Sequence, residues 1–387
     1  MAVESGLDRL AAGDDAVLGR LKGRRLGLLA HPASVDRRLR PATEVLAQAG
    51  IELRALFGPE HGYGGEAQDM IAVDGESRGG LAVHSLYGDR EEDLYPRAEW
   101  LGELDAVIID LQDVGSRYYT YVWTGLCMLE RAAAAGVETI VLDRPNPLGG
   151  RRVEGAPQRP GYRSFVGLRD VPVRHGMTIG ELLSMVAGQE GIDRDALHVV
   201  QARGWSRDRE QPDTGLPWVL PSPNMPTFDT ARVYPGGCLL EGTRMSEGRG
   251  VTRPFEIWGA PGLDGAELVR RVPAPGAHLR PLSFSPTFHK HAGQRCGGVQ
   301  VHVTDPSRFE PYALYLRLIA EARALLGEAM AWRTEEYEYV TDRPAIDLLT
   351  GGPEYRELVD AGGALDDYVR EDRRAADEFA AGRPLLY

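Results

Sequence analysis

Apolar positions in the first part of the chain come in short unbroken runs separated by amphipathic stretches. Residues 25–30 (RLGLLA) show no polar alternation, as expected of a strand covered on both faces. Residues 41–49 read as a helix with Pro41 near its first turn. A second strand is predicted over 51–57 (IELRALF), stopped by Gly58-Pro59, and a shorter one over 83–87. Residues 106–110 (AVIID) form another apolar run after the acidic Glu103 and Asp105. Between 121 and 135, Val122, Leu126 and Leu129 recur at helical spacing; Gly136 ends the helix and 139–142 (TIVL) resumes a strand. Thr178 and Glu181 form a capping box ahead of Leu182-Leu183, announcing a further helix. The block 218–221 (WVLP) reads as the last strand of this half. Such a β-α-β cadence predicts an α/β fold with a mainly parallel sheet and helices on both faces.

After about Gly236 the pattern changes. Gly and Pro become frequent, and the strand-like pieces 255–258 and 298–303 (GVQVHV) alternate more. A long helix is predicted from about 312 to 326. The expected organisation is a domain over 1–235 and a smaller α+β domain over 236–387, in keeping with a chain of 387 residues.

Charge and termini narrow the functional classes. A net charge of −13, from 57 acidic and 44 basic residues, argues against a broad basic surface for nucleic acid. The first ten residues lack the basic start and apolar run of a secretory signal. No stretch approaches the ~18 apolar residues of a membrane span. Cys127, Cys238 and Cys296, odd in number and widely spaced, suggest free thiols in a reducing compartment. The expected location is the cytoplasm.

In a parallel α/β sheet, ligands bind beyond the carboxyl ends of the strands. Polar signals fall there repeatedly: Ala30-His31-Pro32, the loop 58–65 (GPEHGYGG), the segment 110–121 (DLQDVGSRYYTY), 143–147 (DRPNP) and 221–226 (PSPNMP). Several have structural readings as well. Asp110 and Asp113 could cap the next helix. Asn146, between two prolines, could fix a turn through its own side chain. His175 before Gly176 could be a buried structural histidine. His289-Lys290-His291 resembles a strand-borne metal pair, but no carboxylate or cysteine stands at suitable spacing, and no metal or other cofactor is expected.

The densest polar segment is 241–255 (EGTRMSEGRGVTRPF). Its Glu241 and Glu247 offer a carboxylate partner to Glu60, and Arg249 and Arg253 offer a fork for an anionic group. Its glycines match neither a P-loop nor Gly-x-Gly-x-x-Gly after a strand, so a nucleotide reading is weak. Carboxylates with His, Tyr, Trp and Asn suit a sugar. Glycoside hydrolysis usually takes one carboxyl to protonate the leaving oxygen and a second to activate water or attack the anomeric carbon. Glu60 is the candidate acid.

Essentially the whole chain, from about Gly23 to the C-terminal PLLY, resembles the exo-β-N-acetylmuramidase NamZ family. The resemblance rests on 56–62 (LFGPEHG), 110–121, 141–150 (VLDRPNPLGG), 174–178 (RHGMT), 216–227 (LPWVLPSPNMPT) and 246–255 (SEGRGVTRPF). Together these are highly specific. One departure is Ala30-His31-Pro32, where relatives often have Thr-Asn-Pro. The resemblance implies a Rossmann-like catalytic domain with a C-terminal auxiliary domain. It also implies removal of terminal β-1,4-linked N-acetylmuramic acid from the non-reducing end of peptidoglycan fragments, without a cofactor. The family's proposed catalytic glutamate falls on Glu60.

The resulting expectation is an exo-acting muramidase taking muramyl-glucosamine saccharides as substrate. Glu60 serves as general acid/base, His61 orients or tunes it, and Glu247 or Glu241 supplies the second carboxylate. A third route has the sugar's own 2-acetamido oxygen attack. Arg249 and Arg253 suit the lactyl carboxylate of muramic acid. Asp113, Arg117, Tyr118, Tyr121, Asn146, His175 and Asn224 are expected along the substrate pocket. The rivals are a non-catalytic muramyl-sugar-binding protein and a nucleotide-dependent Rossmann-type enzyme.

Overall fold

A computed structural model describes residues 2–64, 77–78 and 80–387. The larger sheet contains β1 (Leu26–Ala30), β2 (Leu53–Gly58), β3 (Ser77–Arg78), β4 (Leu81–Ser85), β5 (Ala106–Asp110), β6 (Glu138–Leu142) and β7 (Leu197–Val200). Its spatial order is β3-β4-β2-β1-β5-β6-β7. Every neighbouring pair is parallel except the short antiparallel β3–β4 edge. From β1 the chain builds outward first through β2 and then, on the other side, through β5. The polar loops predicted at strand ends therefore share one edge, and the crevice opens beside β1.

The unbroken apolar runs have a simple cause. Both β1 and β5 are buried along their full length. Alternate residues point to opposite faces, and each face has its own core. Leu26, Leu28, Ile108, Ile140 and Leu142 pack with Leu7, Val45 and Leu46 from the helices Gly6–Ala11 and Ala42–Gln48. Leu29, Val107, Ile109 and Val141 pack instead with Val122 and Leu126 of the helix Tyr121–Ala134 and Leu182 of Ile179–Glu190. The capping box of Thr178 and Glu181 starts that last helix.

One expected strand is absent. Residues 216–220 run without a ladder, because Pro217, Pro221 and Pro223 remove the donors a strand needs. The last strand is instead β7, an edge strand buried only at Val200.

The second sheet is antiparallel, ordered β8-β10-β9, with β8 (Ile257–Ala260), β9 (Ala277–Phe284) and β10 (Cys296–Val303). Pro281 sits in β9, an edge, where proline is tolerated. The helix Pro311–Leu326 follows, then Ala345–Thr350, Glu354–Asp360 and Asp366–Gly382. Residue 235 lies within the helix Phe228–Gly237 rather than in a linker. Leu316, Ile319 and Ile346 join the same core as Leu29 and Val107, so the C-terminal elements pack onto one face of the parallel sheet. Cys127, Cys238 and Cys296 are buried free thiols. Among the described residues, no helix is long and apolar enough to cross a membrane.

Candidate active site

The loop after β2 is bent back on itself. A Cβ on Gly58 would lie 2.4 Å from the Tyr63 backbone nitrogen, so only glycine fits there. The Gly62 N–H donates to the Pro59 carbonyl at 3.0 Å, and His61 sits at φ 71°. A positive φ at the third position of such a turn is normally glycine's role. His61 holds it at the tip that turns Glu60 inward. Gly65, at the end of the predicted loop, lies outside the described residues.

Glu60 is only 4% exposed. Its Oε2 accepts a hydrogen bond from Thr120 Oγ1 at 2.7 Å, while its buried Oε1 has no hydrogen-bond partner. Thr120 is the N-cap residue of the helix Tyr121–Ala134, yet its side chain makes no capping bond. The hydroxyl that would ordinarily satisfy the helix end holds the glutamate instead.

Glu60 lines a narrow pocket, partly open to solvent. His61, Tyr119, Thr120 and Asn224 join it from the parallel-sheet side. Glu241, Arg249, Phe255, Tyr337 and Glu338 close it from the C-terminal side. The pocket is thus divided between the two parts of the chain.

Arg249 is the hub of the second wall. It donates through Nη2 to Glu241 Oε1 at 2.6 Å and through Nε to Glu247 Oε1 at 3.0 Å, with its guanidinium 5.5 Å from the Phe255 ring. The other Glu241 oxygen accepts from Tyr337 Oη at 2.7 Å. Glu247 is fully buried and stands behind the pocket wall. His289 Nδ1 and Lys290 Nζ approach it at 3.1 Å each. Burial alone would push the Glu247 carboxyl up, but Lys290, His289 and Arg249 together hold it well below the usual range. Of the two histidines that suggested a metal pair, His289 thus serves a carboxylate together with Lys290, while His291 Nε2 meets the Arg244 carbonyl at 2.8 Å. Among the described residues, no group of three or more His, Cys, Asp or Glu could hold a metal. Gly248 is required by crowding, since a Cβ there would meet the Ile257 carbonyl at 2.0 Å.

Glu338 enters the pocket from a tight hairpin. Tyr337 and Val340 exchange both backbone hydrogen bonds at 3.0 Å, with Glu338 at φ 49° and Tyr339 at φ 66° between them. Two consecutive positive φ values define a primed turn, which Asn-Gly normally occupies. With two bulky residues each position costs roughly 1–2 kcal/mol. Side-chain bonds on both flanks hold the turn: Tyr337 to Glu241, and Tyr339 Oη to the Gly88 carbonyl at 2.9 Å.

Of the residues expected in the site, Glu60, His61, Tyr118, Asn224, Glu241 and Arg249 meet at the pocket. The others do not line it. Asp113 Oδ2 accepts from the Gly115 N–H at 2.9 Å and lies 3.4 Å from His175 Nε2, whose Nδ1 in turn accepts from the Met177 N–H at 3.2 Å. Asn146 accepts from the Leu148 N–H and donates to the Met177 carbonyl, both at 2.9 Å, which fixes its own turn. Arg117 is wholly buried and donates to the Leu349 and Val171 carbonyls. Tyr118 Oη also reaches Leu349, at 2.8 Å, so both residues dock the helix Ala345–Thr350 against the sheet domain. Tyr121 Oη donates to the Pro221 carbonyl at 2.7 Å. Arg253 is partly exposed and leans on Thr227 and Glu256. Asp110 is paired with Arg144 at 2.6 and 2.9 Å. His31 accepts from the Gln112 N–H at 2.9 Å, and burial pushes its pKa down to about 3, so it is neutral.

Sequence reasoning missed Thr120, Tyr119, Tyr337 and Glu338. The alternation Tyr337-Glu338-Tyr339 is the one signal that could have drawn attention to the last two.

A buried carboxylate facing aromatic rings, Asn and Arg at the carboxyl edge of a Rossmann-like sheet makes this an α/β protein equipped for a carbohydrate. The comparisons agree. The chain belongs to the exo-β-N-acetylmuramidase NamZ family: the family's N-terminal model matches residues 26–229 and its C-terminal model residues 232–387. It is 40% identical over 393 residues to the peptidoglycan β-N-acetylmuramidase NamZ of Bacillus subtilis, covering 100% of this chain and 91% of the relative. Two crystal structures of DUF1343 family proteins from Bacteroides fragilis share the fold. One has a TM-score of 0.85 at 31% identity, the other 0.73 at 26%, and each alignment covers 100% of this chain and 99% of the other.

Proposed function

We propose that this protein is a glycosidase, an exo-β-N-acetylmuramidase. It releases terminal β-1,4-linked N-acetylmuramic acid from the non-reducing end of peptidoglycan fragments in cell-wall recycling. The observation that carries the reading is the state of Glu60, with one carboxyl oxygen fixed by Thr120 and the other buried without a partner at the pocket. A proton on that second oxygen is placed for delivery to a glycosidic oxygen. As the bond to the anomeric carbon breaks, the proton leaves with the departing alcohol. His61 holds the turn that aims the group. Arg249 presents the positive charge at the pocket that suits a lactyl carboxylate, and Tyr119 and Phe255 supply faces for the pyranose ring.

The test is incubation with the muramyl-glucosamine disaccharide, followed by NMR. The unaltered protein releases N-acetylmuramic acid, and Glu60→Gln lowers turnover by about 10²–10⁴ with folding unchanged. Near-normal turnover in that variant removes Glu60 from the acid role. Binding without product from the unaltered protein replaces the enzyme by a muramyl-sugar-binding protein. We place this activity in the cytoplasm, on small soluble saccharides; cell fractionation that finds the protein elsewhere refutes the placement.

A further inference from the structure

The segment 118–121 sends three phenols into the region behind and beside Glu60. Tyr118 spends its hydroxyl on the Leu349 carbonyl at 2.8 Å, and Tyr121 spends its own on the Pro221 carbonyl at 2.7 Å. Tyr119 does neither. It is 5% exposed and lines the pocket, and among the described residues its hydroxyl has no hydrogen-bond partner. A buried donor left unmade is costly, and native structures keep few of them without a reason.

Tyr119 is also fixed in place. Its N–H donates to the Ser116 carbonyl at 3.0 Å, and its ring packs against those of Tyr121 and Tyr234, with centroids 4.7 and 6.0 Å away. The next residue, Thr120, is the one that binds Glu60 Oε2 at 2.7 Å. One step of backbone therefore separates the phenol from the group that holds the acid. Burial raises the Tyr119 hydroxyl above its usual range, more than the nearby Ser222 and Tyr121 hydroxyls lower it. The phenol keeps its proton and is equipped to donate rather than to attack.

The acceptor follows from what a terminal muramic acid carries. A sugar hydroxyl both donates and accepts, so seating one here would bury a further O–H in need of a partner. The ring oxygen loses electron density as the oxocarbenium-like transition state forms, and the glycosidic oxygen is the one that takes the proton of Glu60. The lactyl carboxylate is an anion, costly to bury against a neutral phenol among aromatic rings. The 2-acetamido carbonyl remains. It only accepts, and Val166, Met225 and Phe255 line the same pocket as apolar company for its methyl group. We infer that Tyr119 Oη donates to the carbonyl oxygen of the sugar's 2-acetamido group and so selects an N-acetylated terminal sugar. This rests on the reading of the pocket as a muramyl-sugar site and adds a hydroxyl contact to the ring face already assigned to Tyr119.

The experiment compares the full chain with Tyr119→Phe, which removes the one oxygen and keeps the ring. Calorimetric titration uses two free sugars: N-acetylmuramic acid, and muramic acid, which keeps the lactyl acid and lacks the acetyl group. The variant should bind N-acetylmuramic acid about tenfold more weakly and muramic acid within about twofold of the unaltered protein. Its thermal midpoint should be equal or higher, because no protein bond is lost. An equal loss on both sugars, an unchanged Kd for N-acetylmuramic acid, or a lowered midpoint overturns the assignment. So does an unaltered protein that binds the two sugars alike. Because binding is read on the free sugars, the two readings fail separately: binding without hydrolysis of the disaccharide by the unaltered protein refutes the glycosidase, and an unchanged Kd in the variant refutes Tyr119.

Discussion

Replacing Arg249 by Met keeps an unbranched apolar stem and removes the charge from between two buried carboxylates. Glu241 then loses its 2.6 Å bond, and Glu247 loses one of three cationic partners while remaining fully buried. Removing one partner from a buried ion pair typically costs about 3–5 kcal/mol, because the orphaned charge stays out of water. Unfolding entropy of about 2.1 cal/mol/K per residue gives this chain about 0.8 kcal/mol/K, so the midpoint of thermal unfolding should fall by about 4–6 °C. The pH dependence has a definite sign. Glu247 titrates in the folded protein below its ordinary value of 4.5. Its stabilisation is present above that value and lost as pH falls through the depressed one. Without Arg249 the depression of Glu247 is smaller, so the gap between variant and parent is full at about pH 7 and narrows at about pH 3.5, below the ordinary value of 4.5. Differential scanning calorimetry at the two pH values measures it. A midpoint within 1 °C of the parent, or a gap that does not change with pH, would refute the electrostatic account of this cluster.

Two further predictions probe the edges of the site. Tyr387→Phe removes a donor to Asp143, a bond of 2.7 Å, and should cost about 1–2 kcal/mol. Burial raises Asp143 to about 6, and its bonds to Tyr387, Thr178 and Gly180 hold it from rising further. The stability tied to that group declines as pH rises through the window from about 4 to 6, so the variant's penalty should be larger at pH 8 than at pH 5. A penalty independent of pH in chemical denaturation would count against it. Arg253→Ala should leave KM for muramyl-glucosamine within about twofold, since Arg253 lies outside the pocket and is partly exposed. A tenfold rise in steady-state kinetics would put Arg253 back in the substrate site.

Much of the fold is legible where burial alone writes the pattern. The run 106–110 coincides with β5 because all five residues are covered by helices from both sides. The Thr178 capping box is local chemistry, and the structure forms it as read. Errors arise where tertiary context decides. The segment 218–221 looks apolar enough for a strand, but its flanking prolines leave no ladder to join. β7 is half-exposed and was hidden by its own polar neighbours. In the site, Glu60 was visible because its loop ends a strand with an unusual string of residues. The separate fates of Glu241, Glu247 and Glu338 were not visible, because they depend on which carboxylate the Arg249, His289 and Lys290 side chains claim in space. Nothing in spacing tells that Arg117 ends on the Leu349 carbonyl, in a helix more than 200 residues away.

The pocket's division between the two parts of the chain bears on how such a protein can change. Glu60 lies within the stretch matched by the N-terminal family model, and Glu241, Arg249 and Glu338 within the C-terminal one. Recombination that joined the front half of one relative to the back half of another would break the seam on which the chemistry sits and, with it, the core that Leu29 and Val107 share with Leu316, Ile319 and Ile346. Inheritance of the reaction and inheritance of the fold therefore tie the two halves together alike, and chimeras of family members should lose turnover and stability together.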